Sequence, residues 1–494
     1  MTYYVTTAIP YVNAEPHLGH CLEYVQTDVL ARHHRLRGQD VRFLSGTDDH
    51  AMKNVTAARE AGEDVAAFVA HNGQRFADLG DLLELSWDDF IHTSSDPRHR
   101  PAVEKAWTLC AERGDFYQKS YTGLYCTGCE QFYTPDELVD GLCREHNRPP
   151  EHVTENNWFF RLTRYTDRIR EVITSGEVEI QPVQKRNEVL AFIDSGLQDF
   201  SVSRPMARAA GWGIPVPGDR DQVIYVWWDA LVNYISALDY GTDGDAFRTW
   251  WTEGDERVHV IGKGITRFHA VYWLALLLSA GEELPSRIIV HDYVNLGGAK
   301  LSKSVGNALG PKGVVADYGV DALRWWYCRE VPLLGDAEFT VERMTTAYTN
   351  DLANGVGNLV NRTLALSHKY LDGTLTIPTD GPLLALARAL PGQVDAALAE
   401  SDFRGATAAI CHVSEQANRV FAAVKPWALG KDDKRDELSL FLGEVIAVCR
   451  IVAQELAPFI PGGAARTARQ LGQGADVPTP TPAFPRLDLS ESGS

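Results

Sequence analysis

Near the start of the chain, residues 10–20 read PYVNAEPHLGH and separate two different hydrophobic patterns. Residues 3–9 are a β-rich run that predicts the first strand, and residues 21–37 repeat apolar side chains at helical steps, which predicts a helix. His17 and His20 therefore lie where a strand passes to a helix N-terminus, whose unpaired N–H groups and dipole attract anions. Imidazoles there can donate to phosphate oxygens, although a metal-binding pair or two core histidines would show the same H-x-x-H spacing.

A second polar stretch, residues 300–304, reads KLSKS and follows Gly297 and Gly298. Two ammonium groups with neighbouring hydroxyls suit a polyanion whose charge grows during a reaction, above all a triphosphate that loses pyrophosphate. A solvated surface turn is the ordinary alternative for an isolated K-x-x-K, because basic runs usually face water. The presence of the histidine stretch far upstream favours the phosphate interpretation.

Together the two stretches resemble the paired signatures of the class I aminoacyl-tRNA synthetases. HLGH matches the family's HIGH, and KLSKS matches KMSKS with Leu301 where Met is usual, a nearly isosteric exchange. The resemblance implies an α/β fold: a Rossmann-type parallel-sheet catalytic domain, split by a zinc-knuckle insertion and followed by an α-helical bundle that binds the anticodon. It assigns catalysis to His17, His20, Lys300, Lys303 and Arg204. It assigns the binding of ATP, with Mg²⁺, to His17, Gly19, His20, Gly262, Lys300, Ser302, Lys303 and Ser304.

Composition is that of an ordinary globular protein. The 494 residues are 45% hydrophobic and 23% charged, which suits a chain of several domains. The net charge of −19 argues against non-specific nucleic-acid binding, although a local basic patch can hold one RNA on an acidic body. No apolar run is long enough to span a bilayer, and the eight cysteines are a single cluster of three plus scattered residues. We therefore expect a reduced, cytoplasmic protein that does not act on a membrane.

The cysteine cluster predicts a metal site. Cys126 and Cys129 form a C-x-x-C pair, and Cys143 and His146 form a C-x-x-H pair a short distance downstream. Three thiolates and an imidazole from two tight turns suit tetrahedral zinc, and four protein ligands leave no open position, so one structural Zn²⁺ is expected. A redox C-x-x-C beside an unrelated histidine is the alternative. The single knuckle and its aromatic setting resemble the insertion of the methionyl-tRNA synthetases.

Polar and aromatic side chains after predicted strands indicate an amino-acid pocket. A strand at residues 41–44 is followed by SGTDDH at 45–50, and parallel sheets bind ligands at this carboxyl edge. Thr47 or Asp48 could instead cap a helix. The segment resembles the GTDEHG element of the methionyl family, which associates Asp48 with the α-amino group. An unbranched thioether needs an aromatic slot, and the resemblance assigns the methionine site to Ile9, Tyr11, Asp48, Trp227, Ala230, Tyr234, Ile265 and His269, several of which could equally be core residues.

Three positions depart from the family pattern. Ala51 and Asp292 stand where glycine is usual, and Gly264 replaces an aspartate that is associated with the ribose of ATP. These departures motivate an alternative function, a specialised paralogue such as an inhibitor-resistant duplicate or a biosynthetic amino-acid-adenylating enzyme. Arg204 is a candidate phosphate ligand through its forked guanidinium, with a surface ion pair as the equal alternative.

The C-terminal part of the chain has helical periodicity from about residue 339 to residue 471, which predicts an α-helical bundle. In the family, an Asn and an Arg on one helix together with a Trp meet the CAU anticodon, and these match Asn358, Arg362 and Trp427. Unstacked bases need an aromatic face and amide or guanidinium edges, although bundle packing would explain each residue alone. The resemblance implies a monomeric methionine–tRNA ligase whose partners are L-methionine, ATP and tRNA(Met).

The domain order predicted from these patterns has six parts. Within the third part, residues 223–228 are predicted to form a strand. The parts are the first half of the Rossmann catalytic domain (1–115), a connective insertion with the zinc knuckle (116–210), the second half of the catalytic domain (211–292), a stem-contact region with the KLSKS loop (293–338), the helical anticodon-binding domain (339–475) and a mobile tail rich in Pro, Thr and Ser (476–494).

Overall fold

The structure is a computed structural model that describes residues 1–126, 131–145, 147–296, 299–300 and 310–487, and of these only the backbone for Tyr121, Gln131, Ala299 and Lys300. The chain divides into two compact units. The first unit is composed of Met1–Pro16, Arg37–Gly80 and Ser86–His291. The second unit is composed of His17–Leu36, Asp81–Leu85 and Asp292–Ser494.

The β-strands of the described residues form four sheets. In chain order they are β1 (Thr2–Thr7), β2 (Asp40–Thr47), β3 (Asp89–His92), β4 (Phe116–Cys126), β5 (Gln131–Tyr133), β6 (Glu151–Phe160), β7 (Glu179–Gln181), β8 (Phe200–Ser201), β9 (Ser203–Pro205), β10 (Pro215–Val216), β11 (Asp219–Ile224), β12 (Glu256–Gly262), β13 (Arg287–His291), β14 (Val294–Leu296), β15 (Ala299–Lys300) and β16 (Ala337–Phe339).

The α-helices, in chain order, are α1 (Leu18–Leu36), α2 (Met52–Ala61), α3 (Val65–Ala77), α4 (Leu79–Leu82), α5 (His99–Glu112), α6 (Thr166–Ser175), α7 (Val183–Asp194), α8 (Val226–Leu231), α9 (Asn233–Ser236), α10 (Asp245–Phe247), α11 (Leu274–Ala280), α12 (Pro311–Tyr318), α13 (Val320–Arg329), α14 (Val341–Ala347), α15 (Asn358–Leu371), α16 (Pro382–Arg388), α17 (Leu390–Ala399), α18 (Phe403–Val424), α19 (Pro426–Lys431), α20 (Arg435–Leu456) and α21 (Pro461–Leu471). Short 3-10 and π-helical stretches join several of them, and the π-helical stretch Phe268–Trp273 runs directly into α11.

A six-stranded parallel sheet lies at the centre of the first unit, in the order β3-β2-β1-β12-β13-β7. Strand β1 pairs with β2 on one side and with β12 on the other, so the strand order reverses at β1. Residues 3–7 of β1 and 258–262 of β12 are all buried, as expected for parallel strands that are covered on both faces. The predicted α/β class with a parallel sheet is confirmed.

Two antiparallel sheets belong to the same unit, in the orders β5-β4-β6-β8 and β10-β11-β9. The long pair β4 and β6 runs in register from Phe116↔Phe160 to Tyr125↔Glu151. Strand β7 lies within the stretch predicted as an insertion, yet it pairs with β13 as the edge strand of the parallel sheet. The chain therefore leaves the parallel sheet after β3, adds antiparallel strands and contributes β7 before it completes the sheet with β12 and β13.

The second unit is largely helical. Helices α14 to α21 occupy most of residues 341–471, in agreement with the helical periodicity of that stretch. The guanidinium of Arg324 is fully buried and donates to Asp28 Oδ2 at 2.7 Å and to the carbonyl of Leu83 at 2.9 Å, which joins α13 to α1 and to the segment after α4. Within the described residues, no helix is both long and apolar enough to cross a membrane.

The strand predicted at residues 223–228 is wrong in its second half. Strand β11 ends at Ile224, and helix α8 begins at Val226 after Tyr225, whose extended backbone (ψ of 132°) starts the helix. A short apolar run bounded by no glycine or proline cannot distinguish a buried strand from a buried helix. The difference matters because it places Trp227 and Ala230 on one helix.

The segment after Asp476, expected from its composition to be mobile, is packed over much of its described length. Val477, Ala483 and Phe484 are buried, and the Tyr348 hydroxyl donates to the carbonyl of Pro485 at 3.0 Å. A composition rich in Pro and Thr does not predict that Phe484 is buried and anchors the segment. This packing concerns residues 476–487, since residues 488–494 lie outside the described part of the chain.

Candidate active site

The carboxyl edge of the parallel sheet carries the first group of predicted site residues. The segments after β1 and β2 run side by side, because Asp48 N donates to Pro10 O at 2.9 Å and Tyr11 pairs with Asp48 as an isolated parallel bridge. Ile9 is partly buried in the same segment, and Gly262 is the last residue of β12, the neighbour of β1. Because the strand order reverses at β1, this edge is where an open parallel sheet binds its ligands.

Three aromatic rings lie together at this edge and are candidates for one wall of a substrate pocket. Tyr11 meets Trp227 edge to face with 6.3 Å between ring centroids, and Trp227 stacks flat on Phe268 at 3.7 Å. The Trp227 Nε1–H has no hydrogen-bond partner in the described part of the chain. Ala230 lies one turn after Trp227 on α8 and adds only a methyl group to that face. Flat rings beside a small residue suit an unbranched, polarizable side chain.

A hydrogen-bonded chain of three residues forms the second part of the pocket. His269 Nδ1 lies 3.1 Å from Ile265 O, and His269 Nε2 lies 2.7 Å from the Tyr234 hydroxyl. A carbonyl only accepts, so Nδ1 carries the ring hydrogen and Nε2 accepts from Tyr234. Burial lowers the pKa of His269 to about 4. The imidazole is therefore neutral at pH 7 and brings no buried positive charge into the pocket.

The two groups are adjacent because consecutive residues link them. Phe268 of the aromatic wall and His269 of the hydrogen-bonded chain are neighbours in the π-helical stretch Phe268–Trp273. Such π-helical turns are rare and occur frequently at functional sites. The structure thus brings together Tyr11, Asp48, Trp227, Ala230, Tyr234, Ile265 and His269 at the edge where Ile9 also lies.

Backbone carbonyls of the loop after β2 are held by side chains from elsewhere in the unit. Asn54 Nδ2 donates to Asp48 O at 3.0 Å and to Asp49 O at 2.9 Å, and Trp212 Nε1 donates to Asp49 O at 2.8 Å. The Asp48 carboxylate is buried at this loop. A carboxylate fixed at the sheet edge is a suitable partner for a substrate ammonium group.

In the second unit, His17 immediately precedes α1 and His20 lies in its first turn, with the two rings stacked at 3.8 Å. His17 N donates to His20 Nδ1 at 3.2 Å, and Gly19 N donates to His17 Nδ1 at 3.1 Å. Since each Nδ1 accepts, the hydrogen of each neutral ring is on Nε2, and the pair presents N–H donors at a helix N-terminus. A Cβ on Gly19 would lie 2.9 Å from His17 Cε1, so this ring position requires glycine.

Helix α1 also contacts the elements that surround the lysine stretch. The Tyr327 hydroxyl on α13 donates to Leu18 O at 2.7 Å, and α1 contacts β14. Strand β14 pairs antiparallel with β15 through Asn295↔Lys300. The histidine turn and the strand that enters the lysine stretch therefore belong to one compact unit. The side chain of Lys300 and the residues Ser302, Lys303 and Ser304 lie outside what the structure describes.

Arg204 is buried among aromatic rings. Its guanidinium carbon lies 4.2 Å from the ring centroid of Tyr225 and 5.2 Å from that of Phe132. Its Nη1 donates to Ser203 O at 2.7 Å and to Ser201 Oγ at 2.9 Å. The surface ion pair is therefore wrong. A phosphate ligand would also need an open guanidinium, whereas this one is stacked and 6% exposed.

Comparison with known proteins identifies the family. A family model described as class I tRNA synthetases (M) matches residues 3–148 and 133–364. The methionine–tRNA ligase of Caldanaerobacter subterraneus is 40% identical over 485 residues, which cover 97% of this chain and 75% of that protein. This chain belongs to the methionyl-tRNA synthetase family. It is accordingly an aminoacyl-tRNA ligase, and its confirmed resemblance is to the methionine-specific branch of class I.

Solved structures of methionyl-tRNA synthetases have the same fold. The Mycobacterium tuberculosis enzyme in complex with methionyl-adenylate matches with a TM-score of 0.93 and 38% identity, covering 98% of this chain and 100% of that chain. Its apo form matches with a TM-score of 0.86 and 35% identity, covering 99% and 98%. The methionine–tRNA ligase of Brucella suis is 38% identical over 98% of both proteins. Similarity over the full length favours the ligase over the specialised paralogue.

Two of the four zinc ligands expected for this family member fall within the described residues. Cys126 and Cys143 are buried together with Tyr133 in one small cluster. Cys129 and His146 lie outside the described residues, and the described residues contain no group of three or more His, Cys, Asp or Glu side chains that could hold a metal ion. Two buried thiols that meet in one cluster fit the donor set of a tetrahedral zinc site.

The residues expected to meet the anticodon lie on neighbouring helices of the second unit. Asn358 is exposed as the first residue of α15, and Trp427 is 40% exposed on α19, which contacts α15. Arg362, one turn after Asn358, donates through Nη2 to Asn418 Oδ1 at 2.6 Å, and its guanidinium carbon lies 4.6 Å from the ring centroid of Phe421. One helix thus carries an amide and a guanidinium near an exposed indole.

Two of the three departures from the family pattern have a structural explanation. Ala51 has φ of −63° and ψ of 140°, a conformation that needs no glycine. Asp292 is buried, and its Oδ2 accepts from Gly335 N at 2.7 Å, so the carboxylate holds a turn. Gly264 is exposed in the 3-10 turn Lys263–Ile265, and nothing in the structure explains its replacement of aspartate.

Sequence reasoning missed two kinds of site residue. Phe268 stands next to the predicted His269, but a regular helix would turn consecutive side chains apart, and a π-helical turn leaves no recognised sequence signal. His50 and Asp229 form a buried pair at 2.6 Å although they are far apart in the sequence. A sequence without homologues gives no signal for such a contact.

Proposed function

We propose that the protein activates L-methionine with ATP and transfers the methionyl group to the 3′ end of tRNA(Met). In the first step the methionine carboxylate attacks the α-phosphorus of ATP, and pyrophosphate leaves. In the second step the terminal adenosine hydroxyl of tRNA attacks the carbonyl of the adenylate, and AMP leaves. Catalysis is mainly orientation and charge stabilisation, so no side-chain nucleophile is needed. Mg²⁺ would enter with ATP, bound to phosphate oxygens and water, and would neutralise part of the phosphate charge.

The methionine side chain is proposed to lie between the stacked Trp227 and Phe268 and the Tyr234–His269 pair. The 3.7 Å stack makes a flat wall, and thioether sulfur interacts favourably with ring edges. Neutral His269 adds polarity without charge, which an apolar side chain tolerates. The ammonium group is proposed to bind Asp48, whose buried carboxylate is fixed by the loop after β2. The pocket thus provides separate subsites for the two ends of methionine.

The phosphates are proposed to bind the two signature stretches. The Nε2–H groups of His17 and His20 would stabilise the pentavalent phosphorus as negative charge grows on its oxygens. Lys300 and Lys303 would hold the β- and γ-phosphates, with hydroxyls from Ser302 and Ser304. Gly262, which has no side chain, would let the nucleotide approach the end of β12.

Arg204 is proposed to support the pocket rather than the phosphates. Its guanidinium is stacked on Tyr225, and Tyr225 packs with Ala51 and Val226 in a cluster against which Trp227 also packs. A planar cation on an aromatic face fixes the ring without adding a competing anion.

The tRNA is proposed to be recognised through Asn358, Arg362 and Trp427. An exposed indole can stack on an unpaired anticodon base, while the amide and guanidinium read base edges. Cys126, Cys129, Cys143 and His146 are proposed to hold one Zn²⁺, which would supply a structural cross-link between the two knuckles and take no part in catalysis. The enzyme is proposed to be a cytoplasmic monomer.

The pocket formed by Trp227, Phe268, Tyr234 and His269 at the sheet's carboxyl edge carries this proposal. The test is ATP–pyrophosphate exchange with each of the twenty amino acids, followed by charging of tRNA(Met). Methionine should support exchange far better than the other amino acids, and tRNA(Met) should be charged. Exchange without charging would favour the biosynthetic paralogue, and exchange that does not depend on methionine would contradict the proposal.

A further inference from the structure

A fully buried carboxylate lies on α8, the helix that carries Trp227 and Ala230 of the proposed methionine pocket. Asp229 is 1% exposed on α8, between Trp227 and Ala230 in the sequence. Its Oδ2 lies 2.6 Å from His50 Nδ1, and its Oδ1 lies 2.5 Å from His99 Nε2. Each carboxylate oxygen therefore accepts a hydrogen bond from a different imidazole. A buried carboxylate needs such donors, since an unpaired one would be strongly destabilising.

The two histidines come from different parts of the first unit. His50 belongs to the loop after β2, two residues after Asp48, and its ring also contacts Trp212 edge to face at 5.8 Å. His99 is the first residue of α5, is fully buried, and its Nδ1 lies 2.9 Å from Ser236 Oγ. Asp229 thus fastens the amine-binding loop, through His50, to the helix that forms the aromatic wall.

The charges of the group strengthen this connection. Burial by itself lowers the pKa of His50, but the adjacent Asp229 carboxylate outweighs it and raises that pKa above its ordinary value. Burial likewise raises the pKa of Asp229, yet the two imidazoles together hold it below its usual range. A charge-assisted bond with little exposure is shorter and stronger than a neutral one.

We propose that Asp229 is a positioning residue for methionine activation, and that it acts through His50 to set the distance between the Asp48 loop and the aromatic wall. This inference rests on the proposed function. Asp229 does not contact the substrate; it couples the subsite for the ammonium group to the subsite for the side chain. Displacing reactive groups by a fraction of an ångström costs rate and affinity even when every contact residue is intact.

The test begins with Asp229→Asn, which keeps size but leaves only one acceptor oxygen for two imidazole N–H groups. We expect the KM for methionine in pyrophosphate exchange to rise about tenfold or more, while the KM for ATP changes less than about twofold. His50→Gln breaks only the bond to the loop and should reproduce the selective change. Since the His50 side chain is 10% exposed and that of Asp229 only 1%, this second variant keeps the test valid if Asp229→Asn fails to fold.

A matched control is Asp115→Asn. Asp115 is an equally buried carboxylate of the same unit, and it accepts from Arg164 Nη1 at 2.7 Å, from Ser279 Oγ at 2.8 Å and from the Tyr165 hydroxyl. Among the described residues it has no hydrogen bond to the pocket loops, so its substitution should lower the thermal midpoint without changing the KM for methionine. The proposal is overturned if Asp229→Asn also changes only the midpoint, if both KM values rise together, or if His50→Gln leaves the KM for methionine unchanged. Wild-type protein without methionine-dependent exchange would instead count against the proposed function itself.

Discussion

The proposed methionine pocket of the first unit and the proposed anticodon surface of the second unit both use a tryptophan, but in opposite settings. Trp227 stacks on Phe268 at 3.7 Å and meets Tyr11 edge to face. Trp427 is 40% exposed on α19, with the exposed Asn358 on the neighbouring α15. The pocket is built before the ligand arrives, whereas the surface offers an aromatic face that a base would cover.

This difference follows from the size of each ligand. Methionine has few atoms, and a pocket distinguishes one methylene by only about 1–3 kcal/mol, so discrimination requires walls that are fixed in advance. An anticodon offers several bases, and stacking with edge contacts can be distributed over exposed residues. Substitutions in the pocket should therefore impair the activation of methionine, whereas substitutions on the surface should impair only the charging of tRNA.

The largest expected effect is that of Trp227→Ala. It removes the stacked wall, and large-to-small changes at packed aromatic sites cost about 3–5 kcal/mol. We expect kcat/KM for methionine in pyrophosphate exchange to fall at least about a hundredfold. Methionine-dependent exchange measured at constant ATP checks this. Exchange within about threefold of wild type would mean that the Trp227–Phe268 stack does not bind the side chain.

The second-largest expected effect is a pH dependence of stability that arises from the buried, neutral His269 of the pocket. His269 takes up its proton at about pH 4 in the folded chain, because burial lowers its pKa, and at about pH 6.5 when unfolded. Between these values the unfolded chain binds more protons, so the stability contributed by neutral His269 is complete above about pH 6.5 and is lost as the pH falls toward 4. Buried His259, whose pKa is also lowered by burial, acts in the same direction.

Urea unfolding of wild type and His269→Gln between pH 4.5 and 7.5 measures this dependence. The wild-type free energy of unfolding should decrease by on the order of 3 kcal/mol more than that of the variant across the window. Parallel pH profiles across the whole window would show that folding leaves the pKa of His269 unchanged. Above pH 6.5 the two profiles should run parallel, because the group is then neutral in both states.

Sequence patterns predicted much of the pocket but little of what holds it. The strand before His17 and the polar loop carrying Asp48 followed from local periodicity and from the rule that ligands bind at the carboxyl edge of parallel strands. Phe268 depends on a π-helical turn, and Asp229 on contacts with distant residues, so neither has a local signal. Periodicity reports which face of an element is buried, but not which buried groups meet.

Trp427→Ala tests the proposed anticodon surface of the second unit. Base–aromatic stacking is worth about 1–3 kcal/mol per base, so we expect the KM for tRNA(Met) in the charging reaction to rise about fivefold to a hundredfold. Pyrophosphate exchange without tRNA should remain as in wild type, since this indole belongs to the second unit, whereas the proposed methionine pocket is composed of residues of the first unit. Equal losses in exchange and charging would show that the substitution damages the fold rather than anticodon recognition.

The smallest expected effect is that of Ala51→Gly, which restores the residue usual in the family beside the pocket loop. The substitution removes a buried methyl group, worth about 0.8 kcal/mol, but glycine is a better residue than alanine at the N-cap position that Ala51 occupies. These terms oppose each other, and the backbone conformation suits either residue. We expect the free energy of unfolding to change by less than about 1 kcal/mol and the KM for methionine by less than about twofold. Urea unfolding and pyrophosphate exchange measure both quantities.

A large gain in methionine affinity would mean that Ala51 had changed the amine-binding loop, and it would favour the specialised paralogue. An unchanged KM for methionine would mean that the pocket tolerates this methyl group, because the loop is already fixed by Asn54, Trp212 and His50.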